Sequence, residues 1–76
     1  MDFPSRLRHL RKQSHLMQMD IAAKIGVSVR TFQSYEQGII EPNIEKLIML
    51  AAIFDVTLDQ LISPDSPLPG VDVGEH

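Results

Sequence analysis

The side chains best suited to binding chemistry in this sequence lie between residues 29 and 37. Helical spacing places Phe32 and Tyr35 on one side of this segment and leaves a largely polar face on the other side. That outward face consists of Val29, Arg30, Gln33, Ser34 and Gln37. Guanidinium and amide groups on a packed helix form directional hydrogen bonds with an external partner. The segment is therefore a candidate recognition surface.

Catalytic and metal-binding patterns do not emerge from the rest of the sequence. His9, His15 and His76 form no i, i+4 pair, and the chain contains no cysteine, so we expect no metal site. The acids at positions 41, 45, 55 and 59 fall in loops and near helix starts, where they are expected to cap helices or face solvent. The sequence has no nucleophile beside a base, no paired carboxylates and no glycine-rich phosphate loop. We expect neither an enzyme nor a cofactor.

Five short helices are predicted to position this face, and no segment alternates in the manner of a strand. The sequence therefore predicts an all-α domain over residues 1–62. The expected helices are Pro4–Ser14, Gln18–Ile25, Val29–Gln37, a helix from a cap at Asn43 through Phe54, and a brief one after Thr57 containing Leu61 and Ile62. Between the second and third helices, Gly26 suits a left-handed C-terminal cap and Ser28 an N-terminal cap. Ala22 allows the two helices to cross closely.

Charge is distributed unevenly along a chain whose net charge is -3. Residues 1–37 hold six of the seven Lys and Arg residues and three acids, whereas residues 38–76 hold one Lys and seven acids. The first helix is predicted to carry a basic outer face made of Arg6, Arg8, Arg11 and Lys12. Such asymmetry is typical of a protein that presents one basic surface to a polyanion.

The stretch RLRHLRKQSHLMQMDIAAKIGVSVRTFQSYEQG, the proline loop IIEPN and the closing VTLDQLI resemble the lambda-repressor-like (XRE) helix-turn-helix family. The resemblance covers about Phe3 to Ile62. It implies a five-helix fold in which the third helix lies in the major groove of double-stranded DNA and the second crosses the backbone. The implied function is sequence-specific DNA binding by a transcriptional regulator, expected to be a repressor that acts as a dimer on a palindromic site.

The resemblance also implies roles for individual residues. Positions that match base-contacting positions are Val29, Arg30, Gln33 and Ser34. Arg30 suits bidentate donation to guanine, and Gln33 suits adenine. Candidates for backbone contacts are Gln18, which matches such a position, and Lys24, Ser28, Thr31 and Gln37. Arg11 and Glu36 match a family pair that forms an internal salt bridge.

The loop after Gly38 and the fourth helix depart from the family pattern. The loop contains Ile39 and Ile40 where family members commonly carry basic residues, so one phosphate-binding patch is expected to be missing. Residues 47–54 (LIMLAAIF) are apolar without interruption, and a helix that is apolar all round is usually buried all round. The sequence therefore predicts a homodimer contact. Its candidate residues are Ile39, Ile40, Met49, Ala52 and Ile53.

Residues 63–76 are rich in Pro, Gly and acids, and we expect a mostly disordered tail. An alternative is an arm that orders on a partner through Leu68, Val71 and Val73. Neither a signal peptide nor an apolar run of membrane-spanning length is evident, so a cytoplasmic, nucleoid-associated protein of bacterial or phage type is expected. A second functional hypothesis is a protein-interaction module, for example an antitoxin-like one, that keeps the fold and binds a protein partner.

Overall fold

The computed structural model describes residues 1–68, and all the regular elements in that range are helices. They are α1 (Phe3–Gln13), α2 (Gln18–Ile25), α3 (Val29–Gln37), α4 (Ile44–Phe54) and α5 (Leu58–Ile62). The all-α, five-helix prediction is confirmed. The expected bounds of α2 and α3 match the structure, whereas α1 begins and ends one residue earlier than expected.

Side-chain caps explain where four of the helices begin. Ser28 and Asn43 accept hydrogen bonds from the backbone N–H groups of Thr31 and Lys46, at 3.0 and 2.9 Å. Asp2 and Thr57 do the same for α1 and α5. Each cap satisfies a first-turn N–H that has no partner within its helix.

The core lies where all five helices meet. It consists of Leu7, Leu10, Ile21, Ala22, Ile25, Phe32, Tyr35, Leu50, Ala51, Phe54, Leu61 and Leu68. Phe32 and Tyr35 pack edge to face, with ring centroids 6.3 Å apart. Burial of both rings packs the inner side of α3 against α1 and α2, so the opposite side of α3 must face outward.

The prediction that Arg6 lies on a basic outer face of α1 is wrong. This side chain is 1% exposed. Its Nε and Nη2 donate to the carbonyl oxygen of Gln60, at 2.9 and 2.7 Å, and its Nη2 also donates to the carbonyl oxygen of Ser66 at 2.5 Å. A buried guanidinium requires such acceptors because an unsatisfied one would be costly. Arg6 therefore links α1 to α5 and to the segment that follows α5.

Residues 63–68 are ordered against the domain, which corrects the expected tail for this part of it. Leu68 is only 6% exposed and belongs to the core. The Arg6 bond to Ser66 and a bond from the Met1 amino group to the Pro64 carbonyl oxygen, 3.4 Å, hold the same segment. Burial of a leucine and satisfaction of a guanidinium offset the entropy of ordering these residues. Residues 69–76, with Val71 and Val73, lie outside the described part of the chain.

Helix α4 is not buried all round within this single chain. Leu50, Ala51 and Phe54 face the core, while Ile44 and Ile48 are 66% and 53% exposed. Four-residue spacing aligns Ile44 and Ile48 along one line of the helix surface. Ile44 and Ile48 therefore form an apolar ridge that this single chain leaves uncovered.

Candidate nucleic-acid interface

The turn between α2 and α3 sets the geometry of the candidate interface. Gly26 adopts a left-handed conformation with φ of 76°, and the next amide, that of Val27, donates to the Ala22 carbonyl oxygen at 3.0 Å. Glycine suits this position because it has no Cβ to clash there. Ser28 then caps α3 directly. The chain thus reverses within a few residues, and α3 begins at a defined angle to α2.

The side chain of Lys46 in α4 stabilises the same turn. Its Nζ donates to the Ile25 carbonyl oxygen at 2.8 Å, at the C-terminal end of α2. The carbonyl groups at a helix C-terminus carry partial negative charge and lack partners within the helix, so an ammonium group stabilises them. The sequence pattern gave no sign of this contact, because Lys46 lies 21 residues from Ile25.

The outward side of α3 carries the residues predicted to contact bases. Val29, Arg30 and Gln33 are exposed, and Ser34 is half-buried. The Ser34 hydroxyl donates to the Arg30 carbonyl oxygen at 3.2 Å within the helix. The Arg30 guanidinium has no protein partner within residues 1–68 and keeps all its donors for an external acceptor.

The residues predicted to contact phosphates lie on α2, in the turn and on α3. Lys24, Ser28 and Gln37 are exposed, whereas Gln18 and Thr31 are half-buried. The Ser28 hydroxyl lies 3.0 Å from Thr31 Oγ1, so these two side chains hydrogen-bond to each other. Lys24, Ser28 and Gln37 are therefore accessible to an external partner.

Glu36 anchors the C-terminal half of α3 to the two preceding helices. Its side chain is 3% exposed and accepts from Arg11 Nε at 2.6 Å and from Arg11 Nη2 at 3.2 Å, as the predicted ion pair requires. Gln18 Nε2 donates to the same carboxylate at 2.9 Å. Arg8 donates to the Glu36 carbonyl oxygen and, at 3.1 Å, to Ser5 Oγ. Sequence reasoning missed the Arg8 and Gln18 contacts.

These contacts reduce the positive charge that is free to meet a polyanion. Of the seven Lys and Arg side chains, Arg6, Arg8, Arg11 and Lys46 are committed to acceptors inside the domain. Three exposed cations have no protein partner within residues 1–68, namely Lys12, Lys24 and Arg30. The basic surface is therefore smaller than the count of basic residues indicates.

Several large apolar side chains in the chain's second half are exposed. We use the term isoleucine surface for Ile39, Ile40, Ile44, Ile48 and Met49, which are all exposed. Ile53, one of the expected dimer contacts, instead packs partly against the core. Ala52 is exposed beside the ridge of α4. Ile44 and Ile48 were absent from the predicted contact set, although their spacing in the sequence could have revealed them.

Two other kinds of functional feature do not occur within residues 1–68. No group of three or more His, Cys, Asp or Glu side chains is arranged to hold a metal ion in that range. Among the same residues, no helix has the length and hydrophobicity to cross a membrane.

The domain is similar to a known family model and to curated proteins named as transcriptional regulators. The HTH_3 model, described as "Helix-turn-helix", matches residues 7–61. The uncharacterized HTH-type transcriptional regulator YobD of Bacillus subtilis is 37% identical over 68 residues, covering 88% of this chain and 61% of YobD. The CTXphi transcriptional repressor RstR of Vibrio cholerae is 36% identical over 61 residues, covering 80% of this chain and 55% of RstR. The chain spans about half to three fifths of the length of its curated relatives.

Solved structures show the same architecture. The P22 c2 repressor protein in complex with synthetic operator 9T superposes with a TM-score of 0.79 at 28% identity, covering 86% of this chain and 98% of that one. A transcriptional regulator from Listeria innocua gives a TM-score of 0.79 at 33% identity, covering 92% of this chain and 65% of that one.

Proposed function

This chain belongs to the HTH_3 helix-turn-helix family, and from that premise we propose that it binds double-stranded DNA sequence-specifically and regulates transcription. The observation that carries the proposal is the outward face of α3. It is held by its N-cap, its aromatic pair and Glu36, yet its polar groups point away from the core. A rigid helix with exposed Arg and Gln is suited to direct readout in the major groove.

In this proposal, base edges are contacted by Val29, Arg30, Gln33 and Ser34. Arg30 is the main determinant because its guanidinium is unpaired, and its fork matches the O6 and N7 acceptors of guanine. Backbone contacts that fix the register are proposed for Gln18, Lys24, Ser28, Thr31 and Gln37. The proposed location of the protein is the cytoplasm, in association with the nucleoid.

We further propose that the protein is a repressor that binds a palindromic site as a homodimer. Three free cations give a single domain little electrostatic attraction for DNA, and a two-fold pair doubles it. The isoleucine surface supplies an apolar area that a second copy would cover. Ile48→Glu should convert a dimer to a monomer in sedimentation at micromolar concentration, whereas a monomeric wild-type protein under the same conditions would refute the dimer.

DNA binding is tested by fluorescence anisotropy on random-sequence duplexes, together with selection from a duplex library. Arg30→Ala should lower the preference for one base pair by about 1–3 kcal/mol. Lys24→Ala is the matched control, because loss of a phosphate contact weakens binding to all sequences alike. Absence of both low-salt binding and library enrichment would contradict the proposal.

A second candidate function is binding of a protein partner, and the exposed isoleucine surface is the observation that favours it. Under this alternative, the purified complex contains a partner protein in a fixed ratio to this chain and contains no DNA. Substitution of Ile44 by Glu would then abolish the complex, whereas Arg30→Ala would leave it intact.

A further inference from the structure

A continuous series of hydrogen bonds runs from α1 to the outward face of α3. Arg11 binds the Glu36 carboxylate, and Gln18 Nε2 donates to Glu36 Oε1 at 2.9 Å. Gln18 Oε1 in turn accepts from Gln33 Nε2 at 3.1 Å. The series therefore begins at a buried ion pair and ends at an exposed side chain predicted to contact a base.

The Glu36 carboxylate fixes the direction of both hydrogen bonds that follow it in the series. An ionised carboxylate only accepts hydrogen bonds, so Gln18 must turn its NH₂ group, and not its oxygen, toward Glu36. The amide oxygen of Gln18 then faces Gln33. Because an oxygen only accepts, Gln33 must likewise turn its own NH₂ group inward. The carbonyl oxygen of Gln33 consequently points away from Gln18.

We propose that Glu36 and Gln18 are positioning residues that set the polarity of the Gln33 amide and so select the base that Gln33 contacts. This inference rests on the proposed DNA binding. Gln33 presents an acceptor oxygen together with the second hydrogen of its NH₂ group, since only one is used by Gln18. Adenine offers a matching donor at N6 beside an acceptor at N7.

The other bases fit this fixed polarity less well. Guanine presents two acceptors, O6 and N7, so one of them would face the Gln33 oxygen, and thymine O4 accepts only one bond, from the free hydrogen of the Gln33 NH₂ group. Cytosine offers one donor at N4 and supports a single bond. A glutamine without this restraint could turn its amide over and donate both hydrogens of its NH₂ group to the two acceptors of guanine. Gln33 loses its bond to Gln18 if it does so.

Selection from a duplex library, followed by affinity measurement on the four single-base variants, tests the inference. The position whose preference disappears with Gln33→Ala identifies the base that Gln33 contacts. The wild-type protein should prefer adenine over guanine there by about 5- to 150-fold. A wild-type preference for guanine or thymine, or no position affected by Gln33→Ala, would overturn the inference.

The positioning role is tested by exchanging the residue types at positions 18 and 36, which preserves the net charge, and by the single variant at position 36. Glu36→Gln introduces an amide whose oxygen must face the Arg11 donors, so its NH₂ group faces Gln18, the direction of the later bonds reverses, and the adenine preference should be lost. The double variant Gln18→Glu with Glu36→Gln restores one direction, because the carboxylate at position 18 accepts from Gln33 and from the new amide. The adenine preference should return. A merely structural role would not produce this recovery.

Additional variants keep each outcome interpretable. If circular dichroism shows that Glu36→Gln does not fold, Gln18→Ala removes the restraint on Gln33 while leaving the Arg11 ion pair in place, and it should also abolish the adenine preference. Adenine preference that survives in a folded Glu36→Gln or Gln18→Ala protein would refute the positioning role. The preference at the base pair that Arg30 contacts should be unchanged in all of these variants. Failure of the wild-type protein to enrich any sequence would instead refute the proposed DNA binding itself.

Discussion

Salt should weaken DNA binding by this domain far less than its basic residues would suggest. The slope of log K against log salt is about -0.9 for each cation that neutralises a phosphate. Only Lys12, Lys24 and Arg30 lack a protein partner within residues 1–68, so the slope should not exceed about 2.7 in magnitude per bound domain. Between about 50 and 200 mM salt, affinity should then fall at most about 40-fold per domain. If all seven basic side chains took part, the fall would be about 6000-fold.

Fluorescence anisotropy with a short duplex, titrated at several salt concentrations, measures this slope. The number of domains bound per duplex is fixed first by stoichiometric titration. Lys24→Gln should reduce the slope by about 0.9. Glu45→Gln, which changes an exposed charge on α4, should leave the slope unchanged. A slope near 6 per domain would refute the reasoning, because Arg6, Arg8, Arg11 and Lys46 would then have to leave their internal acceptors for phosphates.

Three further predictions concern the fold that carries the interface. Leu68→Ala should lower the free energy of unfolding by about 2 kcal/mol in urea denaturation, and no change would mean that residues 63–68 are not part of the core. Gly26→Ala should cost about 1–2 kcal/mol for its left-handed backbone alone, and Gly38→Ala should cost more because the added Cβ would lie 3.3 Å from Pro4 Cγ. Hydrogen bonds from the Ser5 side chain and backbone lower the pKa of Asp2, so its advantage over Asp2→Asn in thermal unfolding should disappear as pH falls through that lowered pKa.

Local sequence signals were sufficient for the helix-turn-helix itself. Gly26 and Gly38 tolerate the left-handed conformation that ends a helix, and Ser28 favours an N-cap, so the bounds of α2 and α3 followed from residue type and spacing. Phe32 and Tyr35 likewise identified the inner side of α3. The outward face of α3 was predictable because it is what remains once the packed side is known.

The contacts that sequence reasoning missed depend on partners far away in the chain. Arg6 binds backbone carbonyl groups 54 and 60 residues away, and every residue type carries such a group, so no pattern distinguishes the partner. Arg6 and Lys12 look alike in sequence, yet the first is buried and the second exposed. The bonds linking Gln33, Gln18 and Glu36 similarly become evident only when three helices are brought together.

A backbone NMR titration with duplex DNA selected from a library tests DNA binding through α3 most directly. The expected result is that amide shifts on binding concentrate at the start of α2, the turn and the first half of α3, around Gln18, Lys24 and residues 28–34. The ridge of α4 at Ile44 and Ile48 should not shift when a preformed dimer binds. Shifts confined to the isoleucine surface, or no shifts at low salt with DNA in excess, would contradict binding through α3.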